Sequence, residues 1–171
     1  MNRKLLVSAL AAAVLAIGNV GAAVPTSPQN TTFQVTITIQ NACTISATNV
    51  GFGTHPDAAA AYNDVAPGTV TVTCSGAGPI KVTLDAGANN PTYGSSHMNF
   101  GANFVGYALY SAANGSGLLG DGVNGGSPVF NGTATGANTP QPFTIHGYTD
   151  TSGGPVPDGT YSDTVTATVT F

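Results

Sequence analysis

Apolar and polar side chains alternate strictly over two stretches near opposite ends of the chain. In Thr32-Phe33-Gln34-Val35-Thr36-Ile37-Thr38-Ile39-Gln40, the apolar residues hold every second position. The same alternation runs through Tyr161-Ser162-Asp163-Thr164-Val165-Thr166-Ala167-Thr168-Val169-Thr170-Phe171. A two-residue period is the mark of a half-buried β-strand. Between these stretches, Gly68–Cys74, Ile80–Leu84, Val105–Tyr110 and Pro142–Tyr148 read as further strands. Cys43–Ser46 reads as the first strand of the domain body, and Val50–Gly53 as a short piece with a glycine bulge. Met98–Phe100 reads as a short edge strand. The turn Ser75–Pro79 predicts a hairpin between Gly68–Cys74 and Ile80–Leu84. Residues 55–67 read as a loop, with room for one helical turn at 57–61. About seven short strands separated by Gly, Pro and Asn turns predict a β-sandwich. A spare strand at one end and an open sheet edge at the other predict head-to-tail strand donation between copies.

The first residues follow another pattern. Met1-Asn2-Arg3-Lys4 is basic, Leu5 to Ile17 is almost unbroken apolar sequence, and Gly21-Ala22-Ala23 is small. This is the layout of a secretory signal peptide, with cleavage expected after Ala23. The expected organisation is a leader over 1–23, an arm over 24–41 and one domain over 42–171.

Export changes the charge balance. Arg3 and Lys4 leave with the leader, so Lys81 remains as the one basic residue against seven acidic ones, Asp57, Asp64, Asp85, Asp121, Asp150, Asp158 and Asp163. One Lys against seven Asp gives a mature formal charge of −6. A single cation cannot build a phosphate-binding face, which excludes nucleic acid as a partner. Cys43 and Cys74 in an exported chain read as one disulfide, closing a loop of about thirty residues and worth roughly 3–4 kcal/mol. Their spacing is far from C-x-x-C and no histidine cluster accompanies them, so no metal or redox role is expected.

No enzyme is expected either. The sequence has no G-x-S-x-G elbow and no Glu, and its Asp residues are dispersed, which leaves neither an activated nucleophile nor a carboxylate pair. His55, His97 and His146 are scattered and read as packed or surface side chains. No catalytic residue, cofactor or metal is assigned. Asp163 shares the parity of Val165 and reads as an acceptor for nearby main chain. Tyr161 reads either as a tyrosine corner or as core.

Five stretches in order carry a resemblance. They are Cys43-Thr44-Ile45 with Val50-Gly51-Phe52-Gly53, then Thr69 to Gly76, Val105 to Tyr110, Leu119-Gly120-Asp121, and Phe143 to Tyr148 leading into Pro157-Asp158-Gly159-Thr160-Tyr161-Ser162-Asp163-Thr164-Val165. Together they resemble the spore coat protein U domain family, which includes subunits of archaic chaperone–usher pili. Two positions depart from the family's habit: Leu119 stands where an aromatic is common, and His97 where an Arg is common.

The resemblance implies an all-β, incomplete immunoglobulin-like sandwich that lacks its final strand. A periplasmic chaperone would lend a strand during export through an outer-membrane usher, and a neighbouring copy's arm would replace it in the fibre. Phe33, Val35, Ile37 and Ile39 would be the donated plugs. Val165, Ala167, Val169 and Phe171 would line the acceptor groove, opposite the strand of Cys43. The implied function is a structural, self-polymerising pilin of an adhesive, biofilm-promoting fibre on the cell surface, with a tip adhesin as a further partner. The alternatives are a secreted coat-type protein or a surface-binding adhesin, neither assembled by an usher.

Overall fold

The computed structural model describes residues 21, 27–58, 60–150 and 155–171. Apart from Gly21, the expected leader and its cleavage site lie outside the described residues. The chain divides into two units, Met1–Ile37 and Thr38–Phe171. In the first unit, residues 27–37 have no regular secondary structure and all are exposed.

The second unit is all β, with no helix among the described residues. Its strands are β1 (Cys43–Thr48), β2 (Gly68–Cys74), β3 (Gly78–Leu84), β4 (Ser96–Phe100), β5 (Asn103–Tyr110), β6 (Phe130–Ala134), β7 (Thr139–Thr149) and β8 (Ala167–Thr170). They form a five-stranded sheet in the order β1-β2-β7-β5-β4 and a three-stranded sheet in the order β6-β3-β8. Every strand pairing is antiparallel.

The core lies between the sheets because each inner strand turns alternate side chains inward. Val70, Val72 and Cys74 of β2 meet Ile80, Val82 and Leu84 of β3, with Ala134 and Ile145 beside them. Val72 and Val82 are fully buried. Each such side chain contributes roughly 1.5–3 kcal/mol by leaving water. The result is the incomplete immunoglobulin-like sandwich that the resemblance implies.

Three local expectations are corrected. β2 and β3 do not form a hairpin, since they belong to different sheets. Their two apolar rows face each other across the core, so the Ser75–Ala77 connection arches from one sheet to the other. Asn41 braces that arch, its Oδ1 accepting from the Gly76 N–H at 2.8 Å and from Ser75 Oγ at 3.3 Å. The strand expected over 161–171 is regular only at Ala167–Thr170, with Ser162 making an isolated bridge to Asn99 on β4. The chain crosses between sheets in the intervening residues, which suspends the ladder. Residues 57, 58, 60 and 61 are not helical.

The sandwich also has a strand that the alternation did not predict. β6 pairs only with β3, in a register that sets Asn131 opposite Lys81 and Gly132 opposite Ile80.

The Cys43–Cys74 disulfide is formed, with the two residues directly opposite in the β1–β2 register. It bonds edge strand β1 to the centre of the core.

Candidate functional site

Among the described residues β8 is hydrogen-bonded to one strand, β3, and approaches β1 without pairing with it. Just before β8, Thr166 O and Thr164 O accept from the N–H groups of Asp85 and Ala88, each at 3.0 Å. The even-numbered residues of this segment therefore point their main chain towards β3 and the chain that follows it. By strand geometry the odd-numbered residues point theirs the other way, while their side chains turn inward. Val165, Ala167 and Val169 thus combine inward, half-buried side chains with N–H and C=O groups directed to an edge that no strand among the described residues covers.

The same parity holds at β1. Ala42 O accepts from Ser75 N–H at 2.9 Å, so the even residues serve β2 and the odd residues Cys43, Ile45 and Ala47 face the open side. Cys43 and Ile45 turn their side chains towards the core.

Between these edges lies a cleft of about 340 Å³. One wall is Ala47 to Val50 with Phe52, and the other is Tyr161, Ser162, Asp163, Val165 and Ala167. Val70, Leu84, Met98, Tyr107, Leu109 and Ile145 also line it. The floor is mainly apolar, while the walls carry polar groups at Thr48, Asn49, Ser162 and Asp163. Asp163 Oδ2 accepts from Tyr107 Oη at 2.7 Å, and Oδ1 accepts from the N–H groups of Ala88 and Asn89, both at 3.1 Å. Burial, then the bond to Asp163, pushes the Tyr107 phenol well above its ordinary range. The tyrosine is therefore a fixed neutral donor, and the carboxylate is saturated by the groups around it.

The structure separates the expected groove residues into two groups. Val165 and Ala167 line the cleft. Val169 packs against the core opposite Val82, and Phe171 is 58% exposed; neither lines the cleft. The opposite wall comes from the end of β1 and the residues after it, whereas Cys43 and Ile45 pack on the core. Tyr107, Leu109 and Ile145 were not singled out as lining residues in the sequence, although all three sit on inward-facing parity within expected strands. Tyr161 donates from Oη to Pro157 O at 2.8 Å, the upstream main-chain bond of a tyrosine corner.

Four large apolar side chains of the arm are offered to solvent. Phe33 and Val35 are each 85% exposed, Ile37 and Ile39 each 84%. Polar Thr and Gln separate them, as in a strand awaiting a sheet.

No group of three His, Cys, Asp or Glu side chains able to hold a metal occurs among the described residues. The His146 imidazole lies 3.5 Å from the Asp64 carboxylate, whose Oδ1 also accepts from the Gly147 N–H.

The family model of the Spore Coat Protein U domain matches residues 29–168. The chain belongs to that family. The match takes in both the exposed arm and the cleft, so both fall within the Spore Coat Protein U domain. No curated protein matches the sequence. Among solved structures, the domain is similar to a chain in the crystal structure of the CsuC–CsuE chaperone–tip adhesion subunit pre-assembly complex, from the archaic chaperone-usher Csu pili of Acinetobacter baumannii. The identity is 26% and the TM-score 0.54, over 78% of this chain and 40% of that one. The Spore Coat Protein U domain chain thus spans less than half the length of its structural relative.

Proposed function

We propose that this chain is a structural subunit of a chaperone–usher surface fibre and polymerises by strand donation. Thr32–Gln40 of one copy enters the cleft of the next, with Phe33, Val35, Ile37 and Ile39 turned into its core. The observation that carries this reading is the cleft, whose walls present unpaired main chain above an apolar floor. The four exposed apolar side chains of the arm supply what such a cleft lacks. The similarity to a chain from a pilus assembly complex supports the same reading.

The energetics favour a long-lived joint. Each buried plug contributes roughly 1.5–3 kcal/mol, and ordering the arm opposes this at about 1–2 kcal/mol per residue. The inserted strand also completes its host's core, so dissociation requires partial unfolding of the host. Before insertion the cleft needs a substitute, which is the role of a periplasmic chaperone, with an outer-membrane usher for passage to the cell surface. Biofilm promotion and a tip adhesin as partner belong to the same reading.

The test is SDS electrophoresis of material sheared from cells, boiled against unboiled, for wild type and a variant lacking residues 32–40. The expected result is an SDS-resistant ladder that collapses on boiling and is absent from the variant. A single monomer band in both wild-type lanes, from protein that is folded before SDS is added, would refute strand-linked polymerisation.

A further inference from the structure

The outer face of β1, β2 and the first half of β7 carries hydroxyl groups in rows. The β1–β2 register sets Thr44 opposite Thr73, Ser46 opposite Thr71 and Thr48 opposite Thr69. The β2–β7 register extends the rows to Pro140, Pro142 and Thr144. These residues hold the parity opposite to the core residues Val70, Val72 and Cys74, so they point outward. Few of the hydroxyls are used internally. Thr44 Oγ1 donates to Thr73 O at 3.4 Å, and Thr48 Oγ1 accepts from Thr69 N–H at 2.9 Å. The hydroxyls of Ser46, Thr69, Thr71 and Thr73 have no partner among the described residues.

The face carries no formal charge. None of the seven Asp residues, nor Lys81, lies on β1, β2 or β7. It ends at His146, which sits against Asp64. Pro140 and Pro142 lack N–H groups and blunt β7 against edge-to-edge pairing.

Two copies of the mature chain, with the formal charge of −6 that remains without the leader, repel each other through most orientations. This facet lets them approach without bringing carboxylates together. It is also chemically self-complementary, because every hydroxyl is both donor and acceptor. Three strands about 4.8 Å apart and six residues long give roughly 300 Å² per copy. That is well below the roughly 800 Å² per partner of a stable pair, so isolated subunits stay separate. A fibre repeats the facet once per subunit, and many weak contacts then act together.

We propose that this hydroxyl face is where fibres of this chain associate side by side, its occupant being the same face of a second copy in a neighbouring fibre. The proposal rests on the fibre reading above. The contact is isologous, so one substitution alters both sides.

The test is negative-stain microscopy and low-speed sedimentation of sheared fibres carrying Ser46→Glu or Thr71→Glu. Thr133→Glu is the control, since Thr133 is exposed on β6 of the other sheet. Wild type and Thr133→Glu are expected to bundle. The two face variants are expected to give single fibres, with roughly tenfold less sedimented material, and to bundle again in about 1 M salt, where screening shortens the reach of the added charges. All four are expected to keep the SDS-resistant ladder. If Thr71→Glu loses the ladder through misfolding, Ser46→Glu on the exposed edge strand decides. Single fibres in wild type, or undiminished bundles in a face variant that keeps its ladder, would overturn the proposal. Absence of the ladder from wild type would remove the fibre reading and this proposal with it.

Discussion

Asp163 gathers four donors around one carboxylate: the Tyr107 hydroxyl and the N–H groups of Ala88, Asn89 and Thr164. Asp163→Ala leaves Tyr107 and two loop amides without that partner. The expected loss is about 2–4 kcal/mol, read as a lower urea midpoint for the full chain. Asp163→Asn keeps an acceptor and should cost less. Tyr107 adds a pH dependence with a definite sign. Its phenol is raised above the ordinary 10.0 by burial and by Asp163. Below that pH both folded and unfolded chains keep the proton, and the stabilisation is complete. Above it the unfolded chain releases the proton first, so stability falls as pH rises towards the folded value. Urea midpoints taken across pH 9 to 11 should decline for wild type, and the decline should be shallower in Tyr107→Phe. The inward position and acceptor role of Asp163 were legible from parity within one strand. Its partner was not, because Tyr107 lies 56 positions away and only the fold brings it close.

Alternation located most strands, because a half-buried strand must repeat every two residues. It said nothing about which strands share a sheet. β2 and β3 carry the strongest patterns in the chain and were joined into a hairpin on the strength of their turn. An arch between sheets and a hairpin within one sheet show the same periodicity. β6 escaped for a different reason. Its Phe130-Asn131-Gly132-Thr133-Ala134 holds an Asn-Gly pair that reads as a turn, and pairing with β3 alone holds it extended. The turn after it also departs from common sequence signals, with Ala137 and Asn138 both at positive φ of 54° and 55°. β1 is an edge strand with β2 as its one paired neighbour, and it is tied to that neighbour covalently. Its disulfide spans 31 positions. Cys43→Ser with Cys74→Ser is expected to cost roughly 3–4 kcal/mol and to free β1 first. Hydrogen exchange should show the β1 amides losing protection ahead of those of β7.

At the scale of the molecule, the proposed strand donation pairs two separate features, an exposed apolar arm and a cleft with an uncovered edge. The alternation of the arm was legible in the sequence, and the structure adds that Phe33, Val35, Ile37 and Ile39 are exposed; their donation to a neighbour is the proposal. The four residues expected to line a groove do not stay together. Val165 and Ala167 line the cleft, while Val169 packs against the core and Phe171 stands in solvent. The sequence pattern could not separate them, because all four share one parity. The proposed side-by-side association likewise belongs to this scale, since a facet too small to hold two subunits gains strength only through repetition. The topology also sets a clock. β3 lies between β6 and β8, so residues 78–84 wait for residues 167–170 before both their edges are paired. A chain delivered from its N-terminus therefore presents Ile80, Val82 and Leu84 on an incomplete sheet until more than eighty further residues have arrived. That delay is the interval in which such a chain is exposed to aggregation and proteolysis. Tyr161 to Val165, which form most of one cleft wall, arrive just ahead of β8, so the cleft too is open on that side until the same late stage.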